Sequence, residues 1–563
     1  MKNKAMRIKR PAFTPSAYRK LFSLAIIILL LSLPLSRRAQ AAAGDLDQSF
    51  GSGGKAITDF AENGDFGNAV AIHSDGRIVL AGSTAVDGVD FTNFNFALAR
   101  YNPNGSLDTS FGVGGKVTTD FGEGEESSAV AIQQDGKIIA AGTVTGDSAS
   151  SIDFLVVRYN ADGSLDPTFG SGGHVRTDFF NARDNLTGVA LQSDGKIVAV
   201  GTTFSDFSGT AADYALARYN SDGSLDPTFG AGGKVTTDFL STPGKTNLSD
   251  QALSVAISPN GKIVAAGNTD TSNGIRNIDI SIARYNPDGS LDSTFDGDGK
   301  TTTDFNVSQD LAFDVLIQPD EKIIAAGNSL QDLPVGSNFA LVRYLANGVL
   351  DTSFGSGGKV ITDFSGRGDL IRGIALQSDG KIVAGGVSFL EFGPDIALAQ
   401  YLTNGALDPS FGSGGKVITD ITLADDTAND LAIQSDGKIV VAGYTFNAMT
   451  AYNFTVVRYN GSTTLDTCLQ DDRVGNSLQI NTTTGDYVFN NCDTGLTFSG
   501  RGVITIQGCV ITLTHRTADR NLLARINTCQ QQGNAVVSTF TPGLIGFSGI
   551  NDSNTADNSC ACR

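Results

Sequence analysis

Ala129-Val-Ala-Ile-Gln-Gln-Asp-Gly-Lys-Ile-Ile-Ala-Ala-Gly142 decides the fold. Two apolar runs flank Asp135-Gly136, a dipeptide that accepts the positive φ of a tight hairpin turn, so the stretch reads as two antiparallel strands. Asp153-Phe-Leu-Val-Val-Arg-Tyr-Asn160 follows as a third strand, and after a Gly-rich connector Gly172-Gly-His-Val-Arg-Thr-Asp-Phe179 supplies a fourth. Four short antiparallel strands in about 60 residues make one propeller blade.

Working outward, the same parts recur along the chain. Leu-Asp pairs mark the copies from Leu46-Asp47 to Leu465-Asp466, at spacings of 57 to 66 residues. There are seven hairpins, turning at Asp75, Asp135, Asp194, Asn260, Asp320, Asp379 and Asp436. Seven third strands end at Tyr101, Tyr159, Tyr219, Tyr285, Tyr344, Tyr401 and Tyr459, and seven fourth strands end at Phe60, Phe121, Phe179, Phe239, Phe305, Phe364 and Ile421. The fourth strand Lys55–Phe60 precedes every hairpin, and none follows Tyr459. The expectation is an all-β, seven-bladed propeller in which that N-terminal strand completes the last blade and leaves no open sheet edge. An open solenoid would leave the displaced strand unexplained.

Leu-Asp-x-x-Phe-Gly-x-Gly-Gly-Lys-Val-x-Thr-Asp-Phe, together with Asp-Gly-Lys-Ile and Arg-Tyr-Asn, resembles the delta-60 repeat of bacterial secreted proteins over about residues 44–470. Asp-Gly-Lys-Ile-Val is more weakly similar to NHL-type propeller blades, and this likeness implies that the first strand of each copy is innermost. Neither resemblance brings catalytic residues with it. Two copies depart from the pattern: Asp320-Glu321 replaces Asp-Gly, so the fifth hairpin is expected to turn differently, and Gln400 replaces Arg in the sixth.

Composition agrees with many short strands: 67 Gly, three Met and no Trp in 563 residues. Residues 1–43 hold a basic stretch, the apolar run Leu21–Leu35 and small residues around Ala39-Gln-Ala41, the three-part pattern of a secretory signal peptide. The apolar run is shorter than the ~20 residues of a spanning helix, so no membrane span is expected after its removal. Without those nine basic residues, 31 Lys and Arg face 59 Asp and Glu, a net charge of −28. Such a surface repels phosphate backbones and excludes a nucleic-acid role. All six cysteines, Cys468, Cys492, Cys509, Cys529, Cys560 and Cys562, fall in residues 467–563, which reads as a small disulfide-stapled β domain beyond the propeller at 44–466.

Catalytic chemistry finds little to use. Only three histidines exist; Gln fills the slot of His73 in five copies and Lys that of His174 in the others, while His515 has no identifiable partner. The repeated Arg-Tyr and Thr-Asp-Phe elements read as framework, with aromatic rings supplying core area and Asp and Arg pairing with each other or with the backbone. Asn-x-Asp-Gly-Ser-Leu-Asp, as in Asn160–Asp166, spaces oxygen atoms as short calcium loops do, but an Asx-stabilised turn needs no metal. Asp296 and Asp298, in Asp296-Gly-Asp-Gly299, are the richest candidates for a structural Ca²⁺, and no other cofactor is expected.

The copies differ most in the loops between second and third strands, such as Ser83–Asn93, Thr202–Ala212 and Asn268–Asn277, and in those entering each blade, such as Leu240–Gln251. Both sets are expected on one face, with the near-identical turns on the other; variable loops on a rigid scaffold are where recognition sits. The reading is an exported monomeric scaffold, secreted or held at a bacterial cell surface, that binds a protein or glycan ligand without catalysis. The alternative is a propeller-type lyase or lactonase with a dispersed site at the channel mouth. Blade-specific charged side chains there would favour it, and a channel of repeated Ala, Ser and Gln would exclude it.

Overall fold

The computed structural model describes residues 42–461 except 61–63, 87–92, 123, 146–151, 205–211, 240–248, 272–276, 306–308, 331–335, 365–366, 392 and 448–450; beyond 461 it describes the backbone of eight strands. In blade 1, Asp65–Ile72, Ile78–Ala85, Phe94–Tyr101 and Lys116–Thr119 pair in that order, each antiparallel to the next. The same order recurs in five further blades that begin at Glu125, Asp184, Asp250, Gln309 and Asp369. Blade 7 has only three consecutive strands, Asp426–Ile433, Ile439–Asn447 and Ala451–Tyr459, and its outer strand is Lys55–Thr58. The register runs from Lys55 opposite Val457 to Thr58 opposite Phe454. The displaced strand thus shuts the ring.

The fourth strands stop at Thr, two residues short of the expected Phe. The chain turns away there because the Phe N–H leaves the ladder: Phe60 N donates to Asp65 Oδ2 at 2.8 Å, and Phe364 N to Asp369 Oδ2 at 2.8 Å. The fifth hairpin, expected to differ, does not. Glu321 takes φ 65°, the conformation of Gly136 at 85°, and Glu321 N reaches Gln318 O at 2.9 Å as Gly136 N reaches Gln133 O at 2.9 Å.

The seven apolar clusters lie between blades rather than inside them. One joins Ile78, Leu80 and Tyr101 of blade 1 to Val440, Ala442 and Val456 of blade 7, with Phe50 fully buried beside them. Burying such an aromatic side chain contributes about 2–3 kcal/mol. The seams are also tied by polar bonds: each third-strand Tyr shares a hydrogen bond with a Thr on the preceding blade's outer strand, from Tyr101 Oη to Thr58 Oγ1 at 2.9 Å round to Tyr459 Oη to Thr419 Oγ1 at 2.9 Å.

The repeated Arg and Asp are framework, as read from the sequence. Arg218 Nη2 lies 2.8 Å from Asp226 Oδ2, its guanidinium stacks 4.5 Å from the Phe229 ring, and Nη1 donates to the Pro287 carbonyl of the next blade. Lys196 Nζ sits 3.0 Å from the same carboxylate. In blade 6, Gln400 cannot repeat this and instead donates to Gln377 Oε1 at 2.7 Å.

The two faces separate as expected. Gly64 O accepts Ala85 N at 2.9 Å and Gly124 O accepts Thr145 N at 2.8 Å, which sets the loops that enter each blade beside those between second and third strands. The repeated turns meet on the other face, where Gly112 N donates to Asp162 O of the next blade at 2.8 Å. Ala43 is 7% exposed and its carbonyl accepts Gly412 N at 2.9 Å in that same ring of turn contacts, so the propeller starts before residue 44. Most of the variable loops lie outside the described residues. Beyond 461, the strands form two four-stranded antiparallel sheets, Thr467–Gln470 to Leu496–Arg501 and Val503–Gln507 to Val537–Thr539. The cysteine side chains, and the disulfides expected of them, lie outside the described residues.

Candidate binding site at the channel mouth

The innermost strand of each blade faces the propeller axis. All seven carry a β-bulge at the same place, between Gly67 and Ala69 in blade 1 and between Ala428 and Asp430 in blade 7. A bulge re-aims the extra side chain, and here the copies diverge: Asn68, Ser128, Thr187, Leu253, Phe313, Arg372 and Asn429. Asn429 Nδ2 donates to Gly67 O at 2.9 Å and to Asn68 Oδ1 at 3.2 Å, and Asn68 Nδ2 donates to Ser127 O at 2.9 Å, so these side chains run from blade to blade around the axis.

Charge gathers in blades 5 to 7. Arg372 lies 4.6 Å over the Phe313 ring, and its Nε has no acceptor among the described residues. Burial lowers its pKa, while Tyr444 works in the opposite direction. Asp314 accepts Ile374 N at 2.8 Å and the Ser254 hydroxyl at 2.7 Å; burial raises its pKa. Asp430 accepts Val70 N at 2.8 Å and Leu431 N at 2.7 Å, and burial, aided by the charge of Asp314, pushes its pKa up to about 7. Gly373 stands between the two: a Cβ there would meet Asp430 Oδ1 at 3.2 Å.

Aromatic rings collect where this charged sector opens onto the variable face. Phe66 packs against Tyr444 at 5.0 Å, Tyr452 at 5.1 Å and Phe94 at 5.8 Å, and Phe446 meets Tyr452 at 5.3 Å. The corresponding positions to Phe66 in other blades are Glu126, Asn185, Gln251, Leu311, Leu370 and Thr427, so the cluster belongs to one sector. The mouth is therefore blade-specific, not a repeat of Ala, Ser and Gln.

On the opposite face a groove of about 850 Å³ crosses the turns of blades 5 to 7, bordered by Gln318, Lys322, Arg343, Gln377, Asn404 and Gln434. It is built from framework positions that recur in most blades, and it lies apart from the aromatic and channel residues.

The residues singled out in the sequence sit elsewhere. His73, at the first hairpin, and His174, on the outer strand of blade 2 with its ring 4.6 Å from Phe121, both have pKa values lowered by burial. The side chain of His515 lies outside the described residues. The Asn-x-Asp-Gly segments are Asx turns: Ser164 N and Oγ donate to Asp162 Oδ1 at 3.0 and 2.7 Å. Asp296 takes a glycine's left-handed slot at φ 48°, Asp298 Oδ1 accepts Lys300 N at 2.9 Å, and neither joins a group of three acidic side chains among the described residues.

Seven segments, 73–111, 133–169, 192–229, 258–295, 318–354, 377–411 and 434–467, match the model described as "Domain of unknown function (DUF5122) beta-propeller". No curated protein matches the chain. Solved structures that resemble it include a catalytically inactive variant of virginiamycin B lyase from Staphylococcus aureus with quinupristin, at 9% identity and TM-score 0.39, covering 72% of this chain and 98% of that one. A PL25 ulvan lyase resembles it at 12% identity and TM-score 0.42, covering 72% and 96%, and Drosophila Plexin A in complex with Semaphorin 1b at 10% and 0.39, covering 77% and 93%. At such values these likenesses carry no inference about activity. One blade per matched segment, closed into a ring by the strand that precedes them all, makes this chain a seven-bladed β-propeller whose repeats are similar to those of the DUF5122 model.

Proposed function

We propose that the protein is an exported, non-catalytic binding scaffold whose ligand is a neutral glycan docking at the channel mouth of blades 7 and 1. The observation that carries this is the cluster of Phe66, Phe94, Tyr444, Phe446 and Tyr452 on the variable face, beside Arg372 and the amides of Asn68 and Asn429. Aromatic faces with a few convergent polar groups form a pre-organised binding surface. The net charge of −28 for residues 44–563 disfavours a polyanionic ligand. Export is supported by the N-terminal pattern and by the resemblance to delta-60 repeats of bacterial secreted proteins. The cysteine-rich segment 467–563 then serves for attachment, stapled by disulfides in an oxidising compartment.

The lyase or lactonase alternative draws on one observation, that Arg372, Tyr444, Asp314 and Asp430 share this sector. One experiment addresses both readings: a glycan array probed with wild type, Tyr444→Ala and Tyr452→Ala, followed by incubation of each bound glycan with the protein and chromatography of the products. The expected result is binding to neutral glycans, weakened at least about tenfold by either substitution, with the glycan recovered intact. Binding that ignores both substitutions would refute the site, and cleaved glycan would establish the alternative.

A further inference from the structure

Of the bulge side chains around the axis, three spend their donors on the ring itself. Asn429 Nδ2 and Asn68 Nδ2 each donate to a carbonyl of the following blade, Gly67 O and Ser127 O, and Thr187 Oγ1 donates to Ala252 O of blade 4 at 2.9 Å. Leu253 and Phe313 have no side-chain donor to give. Arg372 holds the same place in blade 6, yet its guanidinium does not reach forward to blade 7. It lies back over Phe313 of blade 5, 4.6 Å from the ring centroid.

The protein leaves that cation uncompensated. Arg372 Nε is closed to solvent and has no acceptor among the described residues. The two carboxylates of the sector are engaged with other donors: Asp314 with Ile374 N and the Ser254 hydroxyl, Asp430 with Val70 N and Leu431 N. Neither pairs with Arg372 among the described residues. A buried donor without an acceptor costs free energy, so an acceptor brought by a ligand gains more here than at a donor already satisfied.

The surroundings say which acceptor fits. Tyr444 of blade 7 interacts electrostatically with Arg372 and packs on Phe66 at 5.0 Å, so the guanidinium and the aromatic faces share one sector of the mouth. An incoming carboxylate would meet the charges of Asp314 and Asp430 in that sector, and a net charge of −28 opposes its approach. Hydroxyl groups meet no such repulsion. A guanidinium also presents its N–H groups in one plane, spaced to meet two neighbouring oxygens at once.

We infer that Arg372 reads a pair of adjacent hydroxyl groups on one sugar ring and so restricts the ligand to neutral glycans whose sugars keep such a pair free, an inference that rests on the glycan-binding reading above. Internal rings of 1,4- and 1,6-linked hexopyranose chains keep adjacent hydroxyls at C2 and C3. In 1,3-linked chains the linkage takes C3 and separates the free hydroxyls at C2 and C4. Arg372 is thereby a specificity residue, and Phe313 positions it.

The probes are an array of neutral hexose oligosaccharides, 1,4- and 1,6-linked members beside 1,3-linked ones, with carboxylate-bearing glycans included. The full chain is applied as wild type, Arg372→Lys, Arg372→Met and Tyr444→Ala, and each is melted by circular dichroism. Wild type is expected to hold 1,4- or 1,6-linked members at least about tenfold more tightly than 1,3-linked ones, and both Arg372 substitutions to abolish that preference. Arg372→Lys keeps the charge and loses the fork. Arg372→Met keeps packing on Phe313 and is expected not to lower the melting temperature, because the cation it removes has no partner; a lowered one would assign Arg372 a structural role and overturn the inference. So would equal binding of the two linkage classes by wild type, a measurement that needs no variant to fold, a preference retained in Arg372→Lys, or tighter binding of carboxylate-bearing glycans. In each of those cases loss of binding in Tyr444→Ala keeps the site itself. No neutral glycan bound by wild type, or binding indifferent to Tyr444→Ala, would refute the site and this inference with it.

Discussion

Replacing Arg218 by Gln, the residue that blade 6 carries naturally at Gln400, tests how the seams are held. The Arg218 residue is 4% exposed, and its guanidinium makes a close pair with Asp226, a stack on Phe229 at 4.5 Å and a hydrogen bond to the Pro287 carbonyl. Breaking a buried pair from one side costs about 3–5 kcal/mol when the partner charge is left alone. Here it is not alone, because Lys196 remains 3.0 Å from Asp226. Burial raises the pKa of Asp226, but Thr228, Lys196 and Arg218 outweigh it and hold the carboxyl well below the usual range. What Arg218→Gln removes is one strong ion pair, one inter-blade hydrogen bond and a cation–π contact, together about 2–4 kcal/mol. The assay is denaturant unfolding followed by far-ultraviolet circular dichroism, since the chain has no Trp. Protection from hydrogen exchange should fall first at the seam of blades 3 and 4. A midpoint within about 0.5 kcal/mol of wild type would show that the apolar seam alone holds the blades and would refute the reasoning.

Other expectations follow from single residues. Glu321→Gly relieves a left-handed non-glycine residue and should stabilise the protein by about 0.5–1 kcal/mol in the same unfolding assay. Asp430, with its pKa near 7, should make stability fall as pH rises: from about pH 4 to pH 7 the folded state keeps a proton that the unfolded chain has released, which costs on the order of 4 kcal/mol by pH 8. Asp430→Asn should flatten that slope in melts between pH 5 and 8. On the proposed export, cleavage is expected after Ala41, at the end of Ala39-Gln-Ala41 and ahead of the buried Ala43, so mass spectrometry of the exported protein should find Ala42 as the first residue.

The architecture was legible because it rests on features that repeat. Asp-Gly turns, apolar runs and the Arg-Tyr and Leu-Asp pairs recur in every copy or nearly so, and the one displaced copy, Lys55–Thr58, shows how the ring closes. The channel residues were missed because no turn residue announces a bulge. Arg372 and Asp430 look like ordinary polar members of half-buried strands, and only divergence between aligned copies at that one place could have drawn attention to them. The fifth hairpin was misread because the surrounding strands, paired from Gln309 opposite Leu330 to Ile317 opposite Ile323, force Glu321 into the conformation that Gly adopts elsewhere. Asp296 and Asp298 stood out in the sequence because their linear spacing is visible, whereas the acidic groups at the seams, such as Asp279, Asp304 and Asp310, meet only once the blades stack.

Closure by the N-terminal strand is the claim on which the rest depends. Ile57 and Thr455 face each other across the join, and no native cysteine precedes Cys468. In Ile57→Cys/Thr455→Cys, mild oxidation and peptide mapping should recover one disulfide-linked peptide pair containing residues 57 and 455 in the monomer. Residue 57 found as a free thiol, or linked only between molecules, would contradict the closed ring.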